Sequence, residues 1–177
     1  MRIINILLLA IAVTAAAPSA AGAYTITLTR QDVQSQIDPQ FPITEETLFS
    51  SVTLKNPKLD LTEGSDRIGI IVDAAVSALG GIEAAGLVHI DGALRYVKET
   101  GEFLLNDATA RSVEIEGLSG MARAKVAEML TAVIRDYFDK NPIFRLKKDT
   151  IAEAMVMSAL KSVTVKDGKL QLELGLP

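Results

Sequence analysis

Between Ser119 and Asn141 the apolar residues Ala122, Val126, Met129, Leu130, Val133, Ile134, Tyr137 and Phe138 recur at steps of three and four, the signature of one helical face. Arg123, Lys125, Glu128, Arg135, Asp136 and Asp139 occupy the other side. The segment has no internal proline, Ser119 is placed to cap its first turn, and Pro142 ends it, so the spacing predicts a helix roughly 30 Å long. From Ile43 to Gly117 the period changes to two. Leu48, Val52 and Leu54 alternate with Phe49, Thr53 and Lys55, and Leu59 and Leu61 resume the alternation after Asn56-Pro57, which marks a turn or an edge irregularity. Ile68, Ile70, Val72, Ala74 and Val76 form one apolar row, and Val88, Ile90, Leu94 and Tyr96 form another. Glu99-Thr100-Gly101 reads as a hairpin into Phe103 and Leu105, followed by a further strand around Thr109–Glu116 that carries Val113 and Ile115 inward.

The ends add shorter pieces. Tyr24–Thr29 alternates as a strand, and Thr29 with Asp32 has the spacing of a capping box opening a short helix to Ile37. After Pro142, Thr150 and Glu153 repeat that spacing, so Ile151–Met157 reads as a helix, with a strand fitting the same residues almost as well. Val163 and Val165 lead through Asp167-Gly168 into Leu170, Leu172, Leu174 and Leu176. Consecutive strands joined by short turns, each with one apolar face, predict an antiparallel meander. Its apolar face needs cover and only one substantial helix is available. The predicted class is therefore α+β, a strongly curved antiparallel sheet rolled around one long helix, with Gly69, Gly86 and Gly92 easing bends or bulges.

Such a wrap is either solid or leaves an apolar crevice between sheet and helix. Ala74 and Gly92 opposite Met129 are small enough to leave a gap. The residues that would line it are Val126, Met129, Leu130, Val133 and Tyr137 from the helix and Val72, Ile90 and Leu94 from the sheet, with the Tyr137 hydroxyl at the mouth.

Residues 1–23 change the picture of where this domain works. Arg2, the apolar run Ile3–Val13 and the small residues Ala21-Gly22-Ala23 match a cleaved signal peptide, leaving a single domain over 24–177 that is periplasmic in a diderm cell. The 177-residue chain has no cysteine, which excludes disulfides, thiolate chemistry and lipidation through cysteine, so no covalent membrane anchor is expected. Net charge is −4 with no basic stripe, which argues against nucleic acid.

Candidate chemistry is sparse. His89 is the one histidine and lies on a polar strand face with Asp91; no G-x-S-x-G elbow accompanies it, and a solvated surface histidine is the plainer account. Asp60, Glu63 and Asp66 lack the remaining positions of a calcium loop, and no other spacing matches a metal or cofactor site. Arg67 and Arg95 each neighbour an acidic residue and predict cross-strand ion pairs on the outer face.

The ordered set Phe41-Pro42, Val52-x-Leu54-x-Asn56-Pro57-x-Leu59, Asp66-Arg67-Ile68, Gly92-Ala93-Leu94-Arg95-Tyr96, Asn141-Pro142-Ile143-Phe144-x-Leu146 and Leu160–Leu170 resembles the YceB-like family of bacterial envelope lipoproteins. That resemblance implies a long helix rolled into an antiparallel sheet, similar to tubular lipid-binding (TULIP) proteins, and an apolar ligand such as a fatty acyl chain. The lipoproteins carry a cysteine after the signal peptide and this chain does not. The functional expectation is an exported, non-enzymatic protein binding a lipid or other apolar molecule without a cofactor. The alternative is a structural or interaction module of the envelope, with a solid core and a protein partner.

Overall fold

The computed structural model describes residues 24–61, 66–115, 117–118, 120–146 and 151–175. The leader expected at 1–23, the cap expected at Ser119, Thr150 of the second expected capping box, Glu63 and Leu176 lie outside them. The fold is mostly antiparallel sheet with three α-helices among the described residues. In chain order the elements are β1 (Tyr24–Leu28), α1 (Arg30–Ile37), β2 (Ile43–Glu46), β3 (Ser50–Asp60), β4 (Arg67–Ala78), β5 (Ile82–Val97) and β6 (Glu102–Ile115). Then come α2 (Gly120–Lys140), β7 (Phe144–Arg145), α3 (Ile151–Ala159), β8 (Leu160–Lys166) and β9 (Lys169–Leu174).

The strands do not form one meander. Six of them run in the order β2-β3-β4-β5-β6-β7, and a separate three-stranded sheet has the order β1-β9-β8. Both sheets are open and neither closes into a barrel. In the smaller one the start of the described chain pairs with its end, Tyr24 opposite Leu174 and Leu28 opposite Leu170. No local pattern can announce that pairing, because the partners are separated by nearly the whole chain. The sequence reading of a single sheet is corrected accordingly.

One long-range device holds the large sheet in register. Val52 and Leu54 face the core from β3, and so do Leu59 and Leu61, although the two pairs differ in parity. The pairing with β4 shifts between Lys55 and Lys58, and Asn56 takes a positive φ of 54°. One extra residue therefore sits in β3, so Asn56-Pro57 is a β-bulge within a continuous strand and not a turn. The Gln34 carboxamide of α1 satisfies the backbone that the bulge frees: its Nε2 donates to the Pro57 carbonyl (2.7 Å) and its Oε1 accepts from the Leu59 N–H (2.8 Å).

The same device explains a second correction. The sequence reads 102–116 as two strands, whereas β6 is one. Its pairing with β5 shifts between Asp91 and Ala93 and again between His89 and Ile90, with Asp107 at φ 51°. Inward residues accordingly move from Phe103 and Leu105 to Ala108 and then to Ile115. Each bulge breaks the period of two, which is why the continuous strand looked interrupted. Gly86 lies where β5 and β6 approach closely: a Cβ there would stand 2.0 Å from the Glu114 carbonyl oxygen.

Leu48 and Phe49, read as strand, occupy the turn between β2 and β3. Thr47 closes that turn through its backbone N–H to the Ser50 carbonyl (2.8 Å), while its hydroxyl accepts from the Ser50 N–H (3.0 Å). The capping box of α1 forms as expected, with Asp32 Oδ2 2.8 Å from the Thr29 N–H. Ile151–Ala159 is helical, resolving the ambiguity there in favour of a helix.

The long helix α2 turns back along β6. At one end Arg123 Nη2 donates to the Ile115 carbonyl (3.2 Å), and just past the other end the Ile143 N–H meets the Phe103 carbonyl (2.9 Å). Its Val126, Leu130, Ile134 and Phe138 are fully buried at strict four-residue spacing, a single ridge pressed into the core. Replacing Leu130 by alanine is expected to cost about 2–5 kcal/mol. Gln34→Ala, which leaves two backbone groups of the bulge unpaired, is expected to cost about 1–3 kcal/mol. Urea unfolding of each variant against the parent checks both.

Candidate functional site

The eight residues expected to line a crevice all belong to one hydrophobic cluster shared by both sheets and the helices. They are not equivalent within it. Val72, Ile90, Val126 and Leu130 are fully buried. Leu94, Met129, Val133 and Tyr137 are half-buried and pack against the buried cluster. The last three lie on one flank of α2, beside the buried ridge, and form an apolar rim.

The gap expected at Gly92 is closed. A Cβ on that residue would lie 2.4 Å from Leu105 Cγ, so the Leu105 side chain already occupies the volume that glycine vacates. This corrects the idea that small inward residues open a space there. Sequence reading missed it because Leu105 reaches Gly92 through the Asp107 bulge, which no spacing along β5 reveals.

Chemically the interior is uniform. Among the described residues no polar or charged side chain is buried, and no buried side-chain polar atom lacks a partner. Nothing inside can orient a polar substrate or carry a proton; an occupant would be held by dispersion and exclusion of water alone. Tyr137 supplies the nearest polar group. Its ring meets Phe138 edge-on at 5.3 Å, and burial pushes its phenol above the ordinary tyrosine value, with the negative charge of Glu45 on β2 adding to the shift. Tyr96 is shifted upward by burial and then by Glu99, and its hydroxyl donates to the Met157 carbonyl (3.0 Å).

The outer, polar face of the large sheet carries a shallow concavity of about 280 Å³ lined by Asp60, Gly69, His89, Asp91, Arg111 and Ser112 among others. It unites two of the candidates discussed from sequence. His89 lies directly opposite Ser112, and Asp91 lies two residues farther along β5. Asp91 is engaged by Arg67, whose Nε donates to its Oδ1 (2.6 Å), as the expected cross-strand ion pair. Among the described residues no hydrogen bond joins His89 to Ser112 or to Asp91, so the three do not make a relay. Among the described residues Arg95 forms no ion pair; its Nε donates to Asn106 Oδ1 (2.9 Å) instead. No group of three or more histidine, aspartate or glutamate side chains is arranged to hold a metal among the described residues. At the opposite end of β5, the Thr100 hydroxyl and then the Arg145 guanidinium hold the Glu102 carboxyl below the usual range, which ties β7 to the sheet edge.

Residues 28–169 match DUF1439, described as a protein of unknown function. The chain belongs to the DUF1439 family. No curated protein matches it significantly. The DUF1439 match runs from the last residue of β1 to the first of β9, so it takes in the large sheet, α2 and the whole rim.

Because the folded state binds the Tyr137 and Tyr96 protons more tightly than the unfolded chain does, stability is flat below the unfolded tyrosine value near 10 and falls as pH rises through it toward the folded values. Tyr137→Phe is expected to make that alkaline decline shallower. Urea midpoints measured from pH 8 to pH 11 on both proteins provide the check.

Proposed function

We propose that this DUF1439 chain is an exported, non-enzymatic protein that binds a lipid or another apolar molecule along the seam between its large sheet and α2. One observation carries the reading: the interior is wholly apolar and reaches the surface along the rim of Met129, Val133 and Tyr137. Flexible Met129 can change rotamer to admit an acyl chain without breaking a hydrogen bond. The finer picture of a sheet wrapped about the helix, and with it the likeness to YceB-like and TULIP proteins, is supported from two directions. α1 touches both β3 and β7, strands four places apart in the sheet order. The charge of Glu45, on the edge strand β2, reaches Tyr137 and Lys140 on a helix that packs on β6. Export rests on the 1–23 leader, and the lack of cysteine removes thiol-linked lipid anchoring.

A second reading, an envelope interaction module with a solid core, is favoured by the complete burial of Val72, Ile90 and Leu130 and by the filling of the Gly92 site. Native mass spectrometry of the gently purified protein, followed by organic extraction, separates the two. On the ligand reading a lipid-sized mass co-purifies, and a fluorescent fatty acid binds and is displaced by unlabelled acid. Val133→Asp, which places a charge on the rim while leaving the buried ridge intact, is expected to weaken that binding at least tenfold with little change in unfolding midpoint. An empty protein that fails to take up the probe returns the solid-core module.

A further inference from the structure

Two apolar turns and the entrance of α2 lie toward one end of the large sheet. The β2–β3 turn carries Leu48 and Phe49, 90% and 65% exposed, and the β4–β5 turn carries Leu79, 69% exposed. The two turns are joined by the Leu79 N–H donating to the Phe49 carbonyl (2.9 Å). Beyond β6, whose Ile115 pairs with Gly86 near that end, the chain enters α2 at Gly120, and Met121 there is 91% exposed. Four of the large apolar side chains most open to solvent thus crown the same end, although they come from three separate parts of the sequence.

Charge is absent from the crown. Thr47–Leu54, Ala74–Ile82 and 117–122 contain no charged residue in a chain that is 23% charged. Just behind them stand charges of both signs: Glu46, Lys55, Asp73, Glu83 and Arg123. A solvated sheet end has no reason to expel charge and display leucine, phenylalanine and methionine. An apolar tip backed by a mixed collar matches the cross-section of a zwitterionic bilayer surface, hydrocarbon below and headgroups of both signs above. A protein partner fits less well. Interface hot spots are enriched in tryptophan, tyrosine and arginine and poor in leucine, whereas two of these four side chains are leucines and none is of the enriched types. The net charge of −4 also disfavours attraction to anionic lipid.

We propose that the crown of Leu48, Phe49, Leu79 and Met121 is a docking surface for a zwitterionic lipid bilayer, into whose interface the two turns and the entrance of α2 insert. The proposal goes beyond ligand binding and fails separately from it: extraction reports on the interior, and vesicle docking reports on the tips.

The absence of cysteine makes the test direct. Single cysteines at Leu48, Leu79 and Met121, and at Lys98 beyond the opposite end of β5, are labelled with an environment-sensitive fluorophore. The protein is used in the form in which the cell accumulates it, and the vesicles are phosphatidylcholine. Docking predicts a blue shift and quenching by brominated lipid at the three tip positions, and no response at position 98. The double variant Leu48→Ser/Phe49→Ser, with an unfolding midpoint matching the parent, is expected to lower vesicle partitioning about tenfold or more. Solvated tip labels, an equal response at position 98, binding that requires anionic lipid and disappears in salt, or a concentration-dependent tip shift without vesicles would each overturn the proposal. The last of these would mark a second copy as the occupant.

Discussion

The ridge of Val126, Leu130, Ile134 and Phe138 is the contact on which the molecule depends. A sheet with one apolar face is unstable in water until something covers it, and among the described residues α2 is the only helix long enough to run beside β6 from near Ile115 back to Phe103. Burying four such side chains contributes on the order of 6–12 kcal/mol, an upper figure because the unfolded chain already hides part of that area. The contribution is comparable with the whole net stability of an ordinary domain. Without the ridge, the inward residues of β6 would lose their cover on that side.

Covering the sheet works only if every strand keeps its apolar residues on the same face. Bulges at Asn56-Pro57 in β3 and at two places in β6 maintain this, each shifting the side-chain parity by one where the apolar pattern shifts. The cost of a bulge is backbone left without a ladder partner. At β3 Gln34 meets that cost from outside the sheet, so the short helix α1 serves to complete a strand as well as to bury Val33 and Ile37. Local irregularity in one element thus creates the need for a specific side chain in another.

Polar and apolar chemistry are strictly segregated among the described residues. Inside, no polar side chain is buried; outside, His89, Asp91, Arg67 and Ser112 share a shallow face without a catalytic relay. The same segregation is carried to the surface at the charge-free end of the large sheet, where apolar residues are exposed together and not scattered. The buried interior and the charge-free end of the large sheet share this apolar character, which is the common ground of the proposed ligand and the proposed bilayer contact.

The elements themselves were legible because helix and strand periods are local. Residues spaced by three and four between Ser119 and Asn141 fall on one side of any helix, and alternation from Ile68 to Val76 falls on one side of any strand, wherever those elements dock. The capping box at Thr29 and Asp32 was legible for the same reason. The continuous β6 was not, since its bulges erase the period that would identify it, and neither was the β1–β9 pairing between distant ends of the chain. The candidate seam was half legible. Its eight residues do gather in one cluster, but their burial separates four fully buried side chains from a half-buried rim, and Leu105 fills the space beside Gly92. Those outcomes, like the meeting of Leu48, Phe49, Leu79 and Met121 at one end, depend on how far-apart segments approach one another. Periodicity assigns each residue a face; the volume between two faces, and the company an exposed side chain keeps, arise when the faces are brought together.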